Sequence, residues 1–142
     1  MNSGPLIVSQ VCATYMCGVI WVIQLIHYPS FAYINPAQFT EAHQRHTSLM
    51  GMIVGPVMIL ELLAGLWLVS NKMTDFSLLN LGIIALLWFF TFFVSVPLHN
   101  QLGAGFNPVA IQKLVTTNWP RTILWTAKVG LTSYWLMVGS RV

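Results

Sequence analysis

The sequence predicts an all-α protein, specifically an integral membrane four-helix bundle. Of its 142 residues, 56% are hydrophobic and only 6% are charged, whereas about 25% of the residues of a typical soluble domain are charged. The mean hydropathy of +0.73 agrees with this composition. The chain also contains four long apolar segments separated by shorter polar stretches. Because backbone polar groups in lipid must be hydrogen-bonded within the protein, we expect these segments to be helices.

The four apolar segments have the length needed to cross a bilayer. They cover approximately residues 6–28, 49–70, 76–98 and 122–138, and roughly 20 helical residues span about 30 Å of hydrocarbon. We expect residues 1–142 to form a single transmembrane domain, because so short a chain has room for only one bundle. The first segment lacks the basic start and the cleavage signal of a signal peptide, and we interpret it as a retained helix.

The composition favours some partners and argues against others. The formal net charge is +3, but the basic residues are scattered, and neither a basic run nor a phosphate-binding glycine loop indicates nucleic-acid binding. The favoured partners are the lipid bilayer and a lipophilic small molecule. Gly51 and Gly55 form a GxxxG pattern suited to close contact between helices, which is compatible with a homo-oligomer. We expect the protein to lie in the bacterial inner membrane, in an orientation that the sequence leaves open.

The four histidines of the chain are predicted to reach the same end of the bundle. His27 ends the first span, His43 and His46 precede the second, and His99 ends the third, so alternating spans place all four on one membrane side. Histidine is the commonest metal ligand, and the i, i+3 spacing of His43 and His46 turns both rings toward one side of a helix. The sequence therefore predicts a metal- or haem-binding site near one membrane face.

The sequence leaves open which cofactor this histidine site would hold. Three or four imidazoles suit a transition metal ion (Fe, Cu or Zn) whose open coordination positions permit oxygen chemistry or hydrolysis. The alternative is haem b held by two of the histidines, because interior aromatic residues would line a porphyrin. We expect His27, His46 and His99 to be ligands, and His43 to be a ligand or to orient one.

A lone carboxylate, Glu61, lies inside the second apolar segment. The residues NPAQ at 35–38 predict that the second helix begins near Pro36, so His43, His46 and Glu61 belong to one continuous helix. His43 and Glu61 lie about five turns apart on the same face, but Glu61 is roughly 22 Å along the axis from His46. Glu61 would therefore share an ion with the histidines only if the helix broke sharply.

Lys128 offers Glu61 a partner within the bundle. Counted from the histidine end, Lys128 lies about two turns inside the fourth span and Glu61 about three turns inside the second. Ionisable groups inside membranes are usually paired, so we expect a Glu61–Lys128 pair that stabilises the interior or relays protons. A role for Glu61 as a metal ligand stays open beside this. We expect Arg121 and Asn118, at the start of the fourth span, to orient a substrate or bind an anion.

The C-terminal third of the chain resembles a known family. The stretches VSVPLHNQLGAGFN (94–107) and LVTTNWPRTILWTAKVGL (114–131) are similar to the third and fourth helices of small four-helix membrane proteins that include fungal and bacterial anthrone oxygenases. The matching residues are Val96, Pro97, Leu98, Asn118, Trp119, Arg121 and Thr122. His99 stands where the family pattern usually has Asn, and the elements HYPSFAYI and EAHQRH indicate a histidine-rich bacterial branch. The resemblance implies a four-helix bundle and oxidation of a hydrophobic substrate.

Two classes of function are compatible with these patterns. The first is a metal- or haem-dependent oxidoreductase or oxygenase that acts on a lipophilic substrate or quinone at the histidine site. The second is a small transporter or assembly factor, without catalysis, whose polar interior passes a metal ion or a proton. The loop from His99 to Arg121 contains the segment VAIQKLV, which we expect to form a short interfacial helix that covers the histidine end and gates the site.

Overall fold

The computed structural model describes residues 4–139, which form helices joined by short connections. Helix α1 is Gly4–Tyr33, α2 is Pro36–Asn71, α3 is Asp75–Gly103, α4 is Pro108–Thr117 and α5 is Trp119–Gly139. Residues 4–139 contain no strand, so the predicted all-α class is confirmed. By length and composition, α1, α2 and α3 are able to cross a membrane.

The helices extend beyond the apolar segments seen in the sequence. α1, α2 and α3 have 30, 36 and 29 residues, so each is longer than its predicted span. The fourth predicted segment lies within α5, which has 21 residues. α5 has no long stretch as apolar as those in the other three helices, because Arg121, Lys128 and several threonine residues interrupt it. It packs along α1 and against α3.

Two wide turns interrupt the regular α-helices next to histidines. Ile23–His27 in α1 and Phe90–Ser95 in α3 are π-helical, and the residue after each segment donates its N–H to the carbonyl five positions earlier. A proline, Pro29 or Pro97, follows two residues after each segment. Proline has no N–H, and its ring clashes with the carbonyl four residues before it, so a wide turn relieves the clash. Each wide turn also rotates the residues that follow it relative to a regular helix.

Helix α2 begins as the sequence predicts and continues as one helix. The side chain of Asn35 accepts a hydrogen bond from the backbone N–H of Ala37 at 3.0 Å, and Pro36 occupies the first helical position. The helix includes Pro56 in its interior. No break in α2 therefore brings Glu61 toward the histidines at its beginning.

The interior alternates between apolar and polar layers along the bundle axis. At the histidine end, α1 to α4 form the end cluster, which consists of Ile23, Tyr28, Phe31, Phe39, Leu98, Leu102, Ala110, Ile111 and Leu114. The histidines and Arg121 adjoin it. Next comes the middle cluster, to which the four long helices all contribute: Ala13, Met16, Ile20, Met58, Leu87 and Trp125. Glu61 and Lys128 lie beyond the middle cluster.

The ion pair expected between Glu61 and Lys128 is present in this last layer. The Nζ atom of Lys128 lies 2.7 Å from Oε1 of Glu61, and both side chains are fully buried. The hydroxyl of Ser9 donates to the same carboxylate oxygen at 2.7 Å, and the side-chain oxygen of Asn80 accepts a hydrogen bond from Lys128. The pair therefore connects α1, α2, α3 and α5 at one level of the bundle.

Removal of one partner of this pair should destabilise the bundle more than removal of both. In Glu61→Ala, the ammonium group of Lys128 is left buried without a counter-ion, and we expect the free energy of unfolding in detergent to fall by about 3–5 kcal/mol. The double variant Glu61→Met/Lys128→Met should lose much less, because it contains no unpaired charge.

The matched control is Glu41→Ala, which removes an exposed carboxylate from the same helix. Its free energy of unfolding should stay within about 0.5 kcal/mol of the wild-type value. A double variant that is as unstable as Glu61→Ala would contradict this account of the pair.

Candidate metal centre

The four histidines meet at one end of the bundle. His27 comes from α1, His43 and His46 come from α2, and His99 comes from α3. The ring centroids of His27 and His46 are 4.4 Å apart, those of His43 and His99 are 5.2 Å apart, and those of His46 and His99 are 5.5 Å apart. The sequence-predicted histidines thus form one group, which we call the histidine cluster.

Hydrogen bonds join the rings of the histidine cluster in two pairs. Nε2 of His27 lies 2.6 Å from Nδ1 of His46, and Nε2 of His43 lies 3.0 Å from Nδ1 of His99. In each pair one ring donates and the other accepts, so at least one ring of each pair is neutral. Two nitrogens that bind one metal ion at 2.0–2.1 Å in a tetrahedral site lie about 3.3 Å apart. Both pairs are therefore close to the spacing of neighbouring metal ligands.

The rings face one another rather than a common ligand position. Among residues 4–139, no three His, Cys, Asp or Glu side chains are already arranged to hold a metal ion. Ion binding would replace the two ring-to-ring hydrogen bonds with metal–nitrogen bonds, and the rings would have to turn toward the ion. Nδ1 of His43 is buried and has no hydrogen-bond partner, and an unsatisfied buried group costs about 1–3 kcal/mol. The donor set fits an ion that prefers imidazole ligands.

Tyr28, which no sequence pattern indicated, lies between the histidine cluster and Arg121. Its buried hydroxyl lies 3.0 Å from Nε2 of His99, and the guanidinium group of Arg121 is close enough to act on it electrostatically. A histidine that binds a metal through one ring nitrogen usually has a hydrogen-bond partner at the other, which fixes the ring. Tyr28 is placed to do this for His99. The only sequence signal for this role is its position directly after His27, where the wide turn of α1 ends.

Arg121 is buried next to the histidine cluster among neutral partners. Its Nη1 atom donates to Oγ of Ser95 at 3.2 Å and to Oδ1 of Asn118 at 3.0 Å, while its buried Nε atom has no partner among the described residues. The amide of Asn118 also donates to Oε1 of Gln24 at 2.9 Å. Asn118 therefore positions the guanidinium group, and Arg121 itself lines a cavity.

This cavity has a volume of about 450 Å³. Its polar wall includes three members of the histidine cluster, His43, His46 and His99, together with Tyr28 and Arg121. Its floor belongs to the middle cluster, and it is lined mainly by apolar side chains. The exposed residues of its lining lie on two helices: Gln44 and Gly51 on α2, and Val96 and Asn100 on α3. The cavity therefore opens between α2 and α3. A cavity of this size accommodates a small organic molecule.

Helix α4 closes the end of the bundle. The predicted VAIQKLV helix is present as part of α4 and buries Ala110, Ile111 and Leu114 in the end cluster. Beneath it, the ring of Phe39 stacks on His43 with a centroid distance of 5.7 Å. The helix thus covers the histidine end, and the exposed lining residues place the opening of the cavity between α2 and α3. A gating role for the loop stays a prediction.

Glu61 and Lys128, which the sequence placed among the candidate site residues, lie at a different level from the cavity. The middle cluster separates them from the histidine cluster, and Lys128 is about two turns, roughly 10 Å, along α5 from Arg121. Oε1 of Glu61 is occupied by Lys128 and Ser9. Glu61 does not reach the histidines in this structure, because α2 carries it away from them as one continuous helix.

Comparison of the chain with protein-family models, curated proteins and solved structures found no match. The similarity to the anthrone-oxygenase family therefore rests on the quoted residues of the C-terminal third and stays a prediction. Two of those residues, Asn118 and Arg121, form the buried network beside the cavity. His99, which departs from the family pattern, is a member of the histidine cluster.

Asn118→Ala should destabilise the protein, because Gln24 and Arg121 would each lose a buried hydrogen-bond partner. We expect the free energy of unfolding to fall by about 1–3 kcal/mol. Asn100→Ala is the matched control, since Asn100 is exposed at the opening of the cavity, and its effect should stay within about 0.5 kcal/mol. Equal stability of the two variants in detergent unfolding would contradict the role given to Asn118.

Proposed function

We propose that this chain is an integral membrane metalloprotein of the bacterial inner membrane that carries out redox chemistry on a lipophilic substrate. α5 then serves as the fourth membrane-crossing helix, because 21 residues extend over roughly 30 Å. Its strongly polar residues Arg121, Lys128 and Thr132 are buried, whereas Ile123 and Met137 are among its exposed residues. This distribution is typical of a helix that faces lipid on one side.

The main support for this function is the histidine cluster on the wall of a largely apolar cavity. The exposed residues at the opening lie on α2 and α3, two helices that are apolar enough to cross a membrane. A substrate dissolved in the bilayer would therefore enter sideways between them. Iron and copper suit imidazole ligands and change oxidation state, whereas zinc has no redox chemistry. For an oxidoreductase we therefore favour iron or copper at the histidine cluster.

Haem is the alternative cofactor, and the spacing of the rings favours a single metal ion over it. Two axial histidines bind haem iron from opposite faces of a wide, flat macrocycle. In the histidine cluster, His46 is 4.4 Å from His27 and 5.5 Å from His99, measured between ring centroids. In both pairs the rings pack directly against each other, which leaves little room for a porphyrin between them.

The middle cluster supports catalysis over transport. A carrier of metal ions or protons needs polar groups or water along its path. In the described part of the chain, each long helix contributes an apolar residue between the two polar layers: Ile20, Met58, Leu87 and Trp125. The cavity therefore ends halfway along the bundle, as expected for a site that a substrate enters and leaves through one opening.

Protein purified without chelators should contain about one iron or copper ion per chain, measured by inductively coupled plasma mass spectrometry. His46→Ala and His99→Ala should each lower the metal content at least tenfold, because each variant loses a ligand. Gln44→Ala, which changes an exposed residue at the opening of the cavity, should retain the wild-type content.

Two results would contradict this assignment. One is a metal content that stays the same when all four histidines are replaced by alanine. The other is a Soret absorption band in the purified protein, which would identify haem.

A further inference from the structure

Arg121 brings a positive charge into the cavity that no side chain of the described residues neutralises. Its side chain is buried, with the residue 6% exposed. The chain has three acidic residues: Glu61 is paired with Lys128, and Glu41 and Asp75 are exposed. Buried charges in proteins are normally paired, because an isolated charge loses its hydration without compensation. The counter-ion of Arg121 should therefore come from outside the chain.

The guanidinium group of Arg121 is held in place before any anion arrives. Ser95 and Asn118 accept hydrogen bonds from Nη1, and Asn118 is itself held by its hydrogen bond to Gln24. Its buried Nε has no partner, and Arg121 lines the cavity. The planar guanidinium group matches the geometry of an oxygen anion such as a carboxylate and binds it with charge-assisted hydrogen bonds.

Away from Arg121 and the histidine cluster, the cavity is mainly apolar. Residues of this part include Met16, Ile20, Met50 and Val54. An apolar molecule of suitable size would bury its surface here at roughly 25 cal/mol per Å². The cavity thus combines one fixed cation with an apolar chamber that opens between two membrane-crossing helices.

We propose that the cavity binds an amphiphilic molecule with a single anionic oxygen group, of which a carboxylate is the simplest. The anion pairs with Arg121, and the apolar body rests on the middle cluster. Since Arg121 lines the same cavity as His43, His46 and His99, the anionic end lies near the histidine cluster. This substrate class deepens the proposed function and rests on it for the reaction, whereas binding requires only Arg121 and the cavity.

The test is a binding titration of 1-naphthoate and its neutral analogue 1-naphthamide, by isothermal calorimetry, with protein in phosphatidylcholine nanodiscs. The wild type should bind naphthoate saturably and at least tenfold more tightly than naphthamide. Arg121→Gln should lose this preference while it retains its affinity for naphthamide, and Arg121→Lys should keep the preference in part. Arg45→Gln is the matched control, because it removes an exposed arginine from the histidine end of α2.

Equal affinity of the wild type for the two probes would overturn the inference, and so would an Arg121→Gln variant that still prefers naphthoate. Failure of wild-type protein to bind either probe would overturn it as well. The metal content of the same preparation is measured separately, so that failure of the anion site can be distinguished from failure of metal binding. If purified wild-type protein contained no metal and still preferred naphthoate, the result would support the anion site and contradict the proposed metal site.

Discussion

The structure depends on one constraint: polar groups in an apolar interior must find partners inside the protein. In a chain with so few charged residues, the buried polar side chains gather in two layers that are separated by apolar residues. Glu61 and Lys128 neutralise each other where all four long helices meet, and the middle cluster separates this layer from the histidines. At the histidine end, the imidazole rings pair with one another and with Tyr28. Arg121 remains as a buried cation with only neutral partners from the chain, and this distinguishes the cavity from the rest of the interior.

The sequence was sufficient to predict features that depend on spacing along regular helices. These include the all-α class, the start of α2 at Pro36 and the meeting of the four histidines. The contacts around Tyr28 could not be predicted, because the wide turns before Pro29 and Pro97 change the rotation of the residues that follow. The opening of the cavity between α2 and α3 could not be predicted, because it depends on how the helices pack. The periodicity of a sequence does not determine that packing. The loop after His99 was correctly expected to contain a helix that covers the histidine end, and the apolar face of this helix packs in the end cluster.

The two polar layers of the interior are suited to different roles. The Glu61–Lys128 layer is fully buried and joins the helices, which suits a structural role. The histidine layer adjoins a cavity and retains unsatisfied buried atoms on His43 and Arg121. In the proposed function, a metal ion would bind the ring nitrogens that now pair with one another, and an anionic ligand would pair with Arg121. Both would lie on one wall of the cavity, with the apolar body of the ligand against the middle cluster.

The central claim is that one metal ion is held by the imidazoles of the histidine cluster. X-ray absorption spectroscopy at the metal edge of the purified protein tests it most directly. The account predicts three or four nitrogen neighbours at about 2.0–2.1 Å, with the multiple-scattering pattern of imidazole rings. A coordination shell made of oxygen alone, sulfur neighbours at about 2.3 Å, or the pattern of a porphyrin would contradict it.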